Sequence, residues 1–354
     1  MNEVYLAGRG LASALGPDIG SGLVALGRGG GPPRRFELAG GMAWPLYTIA
    51  DDEPDWMTRA RRIIERVARE SGALGGSRSG PLFVASSSLD IGSRENSGDF
   101  ERDYQSFAEL VAGWLDWHGP VFTVSTACTS SLNALLSART LIRNGHADHA
   151  LVLGVELRNR VSIAGFGGMQ LLSADRALPF GKHRDGLVLG EAVAALHVSS
   201  RPSRWRIAGG ANVVEGEDPA GTVPEAVVAM CSEALASSAL APRDIALIKP
   251  QAAGGPVNDA TEARALRQVF DPLPPLVSLK AAIGHTLGAA GAAEVALLTA
   301  CLEGGVWPRV DYAQDALLEA PLADRAPANA GHVLACILGF GGGHAAVVLE
   351  DRGR

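Results

Sequence analysis

The stretch VSTACTSSLNALL (124–136) decides how this chain is read. A β-like run ends in small residues and gives way at Cys128 to a helical run, SLNALLSARTLIRNG (131–145), which Gly145 stops. A helix N-terminus carries partial positive charge, which favours a thiolate and lowers a thiol pKa. Thr129, Ser130 and Ser131 are small enough to leave room around the sulfur. Cys128 is therefore a candidate nucleophile. The competing reading is a small buried filler, and it suits the other three cysteines, Cys231, Cys301 and Cys336, which all lie in apolar runs.

Outward from this stretch, strand-like and helix-like segments alternate, the pattern of an α/β protein. VYLAGRG (4–10), PLFVASSS (81–88), HALVLGVE (149–156) and EAVAALHV (191–198) read as strands, and EPDWMTRARRIIERVARESGAL (53–74) as a helix with Trp56, Ile63, Ile64 and Val67 on one side. The second half restarts. WRIAGGA (205–211) echoes VYLAGRG, VPEAVVAMCSEALASSAL (223–240) is a helix, and IALIKPQ (245–251) and PPLVSLKAAIG (274–284) are strands with their loops. HTLGAAGAAEVALLTACLEGG (285–305) is a small-residue helix, and HVLACILGF (332–340) and HAAVVLE (344–350) are two paired strands around glycines. The shared order suggests an internal duplication joined near 199–204, giving halves of 1–200 and 201–354. Residues 306–331 read as a surface excursion.

Composition narrows the function classes. Hydrophobic residues make up 47% of the 354 and charged residues 19%, too apolar for a disordered chain. The 44 glycines and 20 prolines follow no collagen period. A net charge of −7 without a long basic run does not suit nucleic acid. Four cysteines make no disulfide framework, and cysteines and histidines show no metal-ligand spacing. The N-terminus lacks the pattern of a signal peptide, and runs such as ALVLGV (150–155) are too short to span a bilayer, so a cytoplasmic protein is expected. Only three of the 31 basic residues are lysine: Lys182, Lys249 and Lys280.

Three further stretches carry chemistry. In SLKAAIGHTLGAAG (278–291), Lys280 precedes His285, and His285 opens the small-residue helix. An imidazole there resists protonation and can donate to developing negative charge. In KPQAAGGPVNDATEA (249–263), a strand enters a glycine loop followed by Asn258, Asp259 and Glu262, which as a bare pattern is a helix cap. In LGFGGGHAAVVL (338–349), glycines bracket Phe340 and leave its backbone N–H open to a ligand.

The joint order of TACTSS around Cys128, PFGKHRDGLVLGEA (179–192), NDATEA (258–263), KAAIGHTLGAAG (280–291) and GFGG (339–342) resembles the β-ketoacyl-acyl-carrier-protein synthases of the thiolase superfamily, over nearly the whole chain. The resemblance implies two fused halves, each a mixed five-stranded sheet in an αβαβα layering, and an obligatory dimer. It implies that Cys128 takes an acyl chain from acyl carrier protein as a thioester, with the backbone N–H groups of Cys128 and Phe340 as the oxyanion hole. By the same resemblance His285 supports malonyl decarboxylation, Lys280 pairs with Glu262, Phe340 gates the acyl and malonyl sides, and Asp185 and Gly186 lie on the RDG loop. No dissociable cofactor is implied, because substrates arrive on the carrier's phosphopantetheine arm.

The chain departs from this pattern where the family reads His-Gly-Thr-Gly-Thr. Gln251-Ala252-Ala253-Gly254-Gly255 stands here, so the first histidine is Gln251 and the two threonines that would bond the pantetheine arm are Ala253 and Gly255. Gln251 can donate one hydrogen bond but is never cationic and is no base. Two lost hydrogen bonds weaken extender binding by roughly 1–3 kcal/mol. His344 replaces the family's Asn after the glycine turn and is a candidate substitute imidazole near the site. The chain is shorter than the family, with the shortfall before Cys128, where loops build the dimer and the acyl tunnel.

Two readings follow. One is a decarboxylating condensing enzyme of type II fatty acid or polyketide synthesis with a Cys–His–Gln site, acting in a dimer. The other is a chain-length-factor-like partner of a complete ketosynthase, with little chemistry of its own. The short chain and the Gln-Ala-Ala loop resemble the synthase-like proteins of the aryl polyene pathway. A thiol hydrolase is disfavoured, because Cys128 lacks a G-x-[SC]-x-G elbow and no Asp/His pair follows in the matching order.

Overall fold

The computed structural model describes residues 1–101, 103–216 and 221–353. The strands are β1 (Tyr5–Ser13), β2 (Arg34–Glu37), β3 (Ala43–Tyr47), β4 (Leu82–Ala85), β5 (Val121–Val124), β6 (His149–Glu156), β7 (Leu189–Gly190), β8 (Ala192–Ser199), β9 (Trp205–Val214), β10 (Ile245–Lys249), β11 (His332–Leu338) and β12 (Gly343–Asp351). The helices are α1 (Ile19–Gly27), α2 (Trp56–Glu70), α3 (Ile91–Ser97), α4 (Gln105–Trp114), α5 (Ser130–Arg143), α6 (Arg160–Gly168), α7 (Pro224–Ser238), α8 (Pro256–Val269), α9 (Lys280–Ile283) and α10 (Ala290–Gly304).

Strand order exposes the duplication. The main sheet runs β5-β4-β6-β8-β1-β9-β12-β11-β10, and β2-β3-β7 form a small side sheet. The two halves of the main sheet meet where Tyr5 and Leu6 of β1 face Arg206 and Trp205 of β9. Outward from that seam the halves repeat. The first strand of each half (β1, β9) pairs antiparallel with the last (β8, β12), that strand pairs antiparallel with β6 or β11, and β4 or β10 follows in parallel. The fifth place is β5 in the first half. In the second half it is a single parallel bridge between Ile248 and Leu276, so the strand expected over 274–284 is not formed and the second sheet has four strands, not five. Pro274 and Pro275 explain this, since proline has no N–H to donate to a ladder.

Side-chain alternation builds five layers. On β8, Ala194, Leu196 and Val198 join the central core, whereas Val193 and Ala195 join the outer core under α2 and α4. On β11, Val333, Ala335 and Ile337 face the centre, and Leu334, Cys336 and Leu338 face the outer core with α7 and α8. Because both faces of each half-sheet are covered, the strands read as continuous apolar runs. Between the half-sheets lie α5 and α10, packed together. A Cβ on Gly291 would sit 2.8 Å from Leu132, so glycine is what allows the two helices to approach. Leu287–Gly304 is long and apolar enough to cross a membrane, but 83% of it is buried in this core.

α2 begins at Trp56, capped by Asp55, whose carboxylate accepts from Thr58 N at 2.8 Å. It buries Trp56, Ile63, Ile64 and Val67, as the periodicity requires, and also Arg59, whose guanidinium forks onto Glu191 at 2.7 and 2.8 Å. The stretch 306–331 is largely irregular, with one short 3₁₀ turn, Ala316–Leu318.

Candidate active site

Cys128 lies in a tight turn between β5 and α5, two residues before the first helical residue. Ala127 takes a positive φ of 50°, a strained position for alanine. Ser130 Oγ donates to Ala127 O at 2.6 Å and accepts from Thr126 N at 2.9 Å, and Thr129 Oγ1 donates to Thr126 O at 2.6 Å. The hydroxyls that sequence reading took as mere small neighbours are thus the staples of the turn. Only 4% of Cys128 is exposed.

His285 reaches the same place from the other half. Its Nε2 lies 3.1 Å from Cys128 Sγ. The imidazole is held by its backbone: His285 N donates to Val188 O at 2.7 Å and Gly190 N donates to His285 O at 2.9 Å. This corrects one expectation. His285 does not open a helix; α9 ends at Ile283, Gly284 turns with φ 72°, and α10 begins only at Ala290 after a 3₁₀ turn. What fixes the backbone at His285 is a bridge to Leu189, not a helix terminus.

Gln251 follows β10, and its Nε2 is 3.5 Å from His285 Nε2, at the outer limit of contact. Its loop is pinned by two buried carboxylates. Glu262 accepts from Gln251 N at 2.7 Å and Ala252 N at 2.8 Å. Asp259 accepts from Ala253 N and Gly254 N at 3.1 Å each, and from Phe180 N at 2.8 Å. Gly254 has φ 96° and donates no room for a side chain, since a Cβ would lie 2.7 Å from Gly186 O. Gly186 in the RDG loop is required separately, since a Cβ there would lie 2.5 Å from Ser173 N, and Asp185 beside it is exposed.

Phe340 lies in the glycine turn between β11 and β12, and its ring stacks on Phe166 of α6 with centroids 5.3 Å apart. Both rings line a pocket with Cys128, His285, Gln251 and Asn258. The void over the sulfur is about 40 Å³, room for a few waters and not for an acyl chain. Phe166 carried no signal beyond an aromatic residue between glycines.

Three further expectations change. Lys280 does not pair with Glu262: its Nζ donates to Glu294 of α10, and Lys249 Nζ donates to the other oxygen of the same carboxylate. Both lysines are buried. Glu262 spends its oxygens on backbone N–H groups. His344 is buried in β12 opposite Leu338 and Val213, and is not among the described residues lining the cavity. Cys128 is not a low-pKa thiol. Burial pushes it up to about 11, with the N–H of Phe340, the charge of Lys280 and its own N–H pulling down. Partial positive charge at the turn does not offset the loss of water.

The remaining electrostatics follow the same cause. Burial, with Lys280 and Lys249 nearby, holds His285 well below the usual histidine value, so the ring is neutral. Burial raises Glu262 to about 7 and Asp259 to about 6 against the pull of their backbone N–H donors. Burial lowers Lys280 to about 8, with Glu294 opposing. Glu156, at the end of β6, is raised by burial although it accepts from Ser87 N and Oγ, Ser88 Oγ and Gly288 N. A neutral imidazole beside a protonated thiol, under two backbone N–H groups, suits acyl transfer: proton to nitrogen, thiolate to carbonyl, oxyanion to the N–H pair. Among the described residues, no group of three His, Cys, Asp or Glu is placed to hold a metal ion.

Comparison with known proteins shows the family and the fold. The Beta-ketoacyl synthase N-terminal domain matches residues 68–202 and the C-terminal domain matches residues 208–311. The chain belongs to the β-ketoacyl synthase family. A chain of the ketosynthase (ApeO) and chain length factor (ApeC) complex from Xenorhabdus doucetiae superposes with a TM-score of 0.85 at 26% identity, covering 99% of this chain and 98% of that one. A β-ketoacyl synthase from Burkholderia phymatum superposes at 0.83 over the full length of both chains, at 22% identity. The 3-oxoacyl-[acyl-carrier-protein] synthase 2 of Mycobacterium bovis is 32% identical over 253 residues, 64% of this chain and 60% of that protein. The lovastatin diketide synthase of Monascus pilosus is 32% identical over 211 residues, 56% of this chain and 8% of that protein. The fold is thiolase-like, and the protein is ketosynthase-like, related to both synthases and the synthase/chain-length-factor pairs.

Proposed function

We propose that the chain is a β-ketoacyl-acyl-carrier-protein synthase-like condensing subunit of type II fatty acid or polyketide synthesis, including the aryl polyene type. The observation that carries the reading is His285 Nε2 at 3.1 Å from Cys128 Sγ, with Phe340 lining the same pocket. Cys128 gives its proton to His285 and attacks the thioester carbon of an acyl carrier protein. The N–H groups of Cys128 and Phe340 hold the oxyanion, and the carrier thiolate leaves with the proton from His285. Malonyl carrier protein then enters, loses CO₂, and leaves an enolate whose oxygen is held by His285 and Gln251. The enolate carbon attacks the acyl-Cys128 carbonyl and the Cys128 thiolate departs. No resident cofactor takes part, because the substrates arrive on the carrier's phosphopantetheine, and the chain works in the cytoplasm.

The second subunit belongs to the same reading. β5 is an edge strand of the main sheet, and Phe122 on it is 42% exposed. Tyr104 and Leu110, on the segment packed against β5, are exposed, with Gln105 Nε2 donating to Val121 O and Thr123 Oγ1 to Tyr104 O. An unpaired apolar edge is unstable in water; pairing with a complete ketosynthase or a second copy covers it and walls an acyl channel that the small void lacks. Gln251, Ala253 and Gly255 favour a chain-length-factor-like role in that pair. The test is malonyl decarboxylation and condensation by the chain alone and mixed with a complete synthase. Turnover alone supports the condensing reading. Turnover only in the mixture, unaffected by loss of Cys128, supports the partner role.

A further inference from the structure

The chain has three lysines, and two of them are buried on one carboxylate beside the site. Lys249 ends β10, two residues before Gln251, and donates to Glu294 Oε2, while Lys280 of α9 donates to Glu294 Oε1. Taking an ammonium out of water is costly, and one lysine already satisfies a carboxylate's charge. A second buried lysine therefore needs a reason. The groups around the Cys128–His285 pair supply it. Glu262 and Asp259 of α8 line the same pocket, Glu156 of β6 acts on the thiol, Glu294 of α10 lies behind on the two ammonium groups, and the only buried lysines among the described residues are Lys280 and Lys249. Gln251 cannot add a charge.

We infer that Lys249 is a positioning residue of the site, whose buried ammonium restores, from the end of β10, the positive potential that a neutral side chain at position 251 does not provide. It acts in two ways. Through Glu294 it leaves Lys280 less tightly neutralised. Through space it pulls against the burial that raises Glu262, and Glu262 in turn holds the backbone N–H groups of Gln251 and Ala252. The inference rests on Cys128 being the nucleophile.

The test is the pH dependence of Cys128 alkylation by iodoacetamide, followed by mass spectrometry of the full chain. A thiolate appears as pH rises through its pKa, so a loss of positive potential moves the midpoint up. Lys249→Met is expected to cut alkylation at pH 8 about tenfold, a shift of about one pH unit. Lys249→Met with Glu294→Gln, which removes one charge of each sign, is expected to move back toward wild type. If Lys249→Met does not fold, the double variant is compared with Glu294→Gln, which differs from it only at Lys249, and the same upward shift is expected. An unchanged midpoint in Lys249→Met, or a double variant no closer to wild type, overturns the inference. No alkylation of wild-type Cys128 at any pH instead overturns the reading of the nucleophile.

Discussion

The turn after β5 and the loop after β10 reach the same site from the two halves, and they are built differently. The first keeps its residue types: Cys128 on a turn stapled by Thr129 and Ser130. The second is held through its backbone, with side chains other than those the resemblance implies. Asp259 and Glu262 pin residues 251–254 through backbone N–H groups, and Gln251, Ala253 and Gly255 offer neither the imidazole nor the hydroxyls that the family resemblance leads one to expect there. A loop held through its backbone can exchange side chains without losing shape, so chemistry can drift at 251–255 while the fold stays intact. The same exchange at 128–130 removes both the proposed nucleophile and the staple.

Substitutions break the comparison most sharply at the turn. Cys128→Ser is expected to lower acyl transfer by about a thousandfold or more, measured as acyl-enzyme formed from acyl carrier protein. His285→Ala is expected to lower malonyl decarboxylation by about 10² to 10⁴, measured as CO₂ release. The pH profile sharpens it next. With Cys128 raised to about 11, its deprotonated fraction is small at neutral pH and grows up to that value. Alkylation of resting Cys128 is therefore expected to rise nearly tenfold per pH unit from 7 to 10, where a thiol of lowered pKa would level off near neutrality. Effects at the loop are smaller. Gln251→His is expected to raise decarboxylation about tenfold, the gain from one charge-assisted hydrogen bond. Ala253→Thr is expected to lower the KM for malonyl carrier protein by about 2- to 10-fold through one recovered hydrogen bond, with kcat little changed.

What was legible in the sequence follows the same division. Local patterns were readable: the small-residue turn at Cys128, the apolar face of α2, the apolar strand runs of β6 and β8. So was the order of the motifs, which carries the family and the fold. Relations made only by tertiary packing were not. Glu294 sits mid-helix in an apolar run and showed no reason to be the partner of Lys280, whereas Glu262 stood in a quoted motif and drew that role. The scarcity of lysine was visible, but its meaning depends on burial. Cys128 was assigned a helix-lowered pKa because sequence shows the helix and not the depth at which the thiol lies. His344 stands one residue past a glycine turn, and the strand register carries it into the sheet.

The most direct test of the central claim is the intact mass of the purified chain after incubation with a saturated acyl-acyl carrier protein, followed by peptide mapping. One acyl group per chain, as a thioester on the peptide carrying Cys128 and released by hydroxylamine, is the predicted result. No added mass, or acyl groups on Cys231, Cys301 or Cys336 instead, would contradict it.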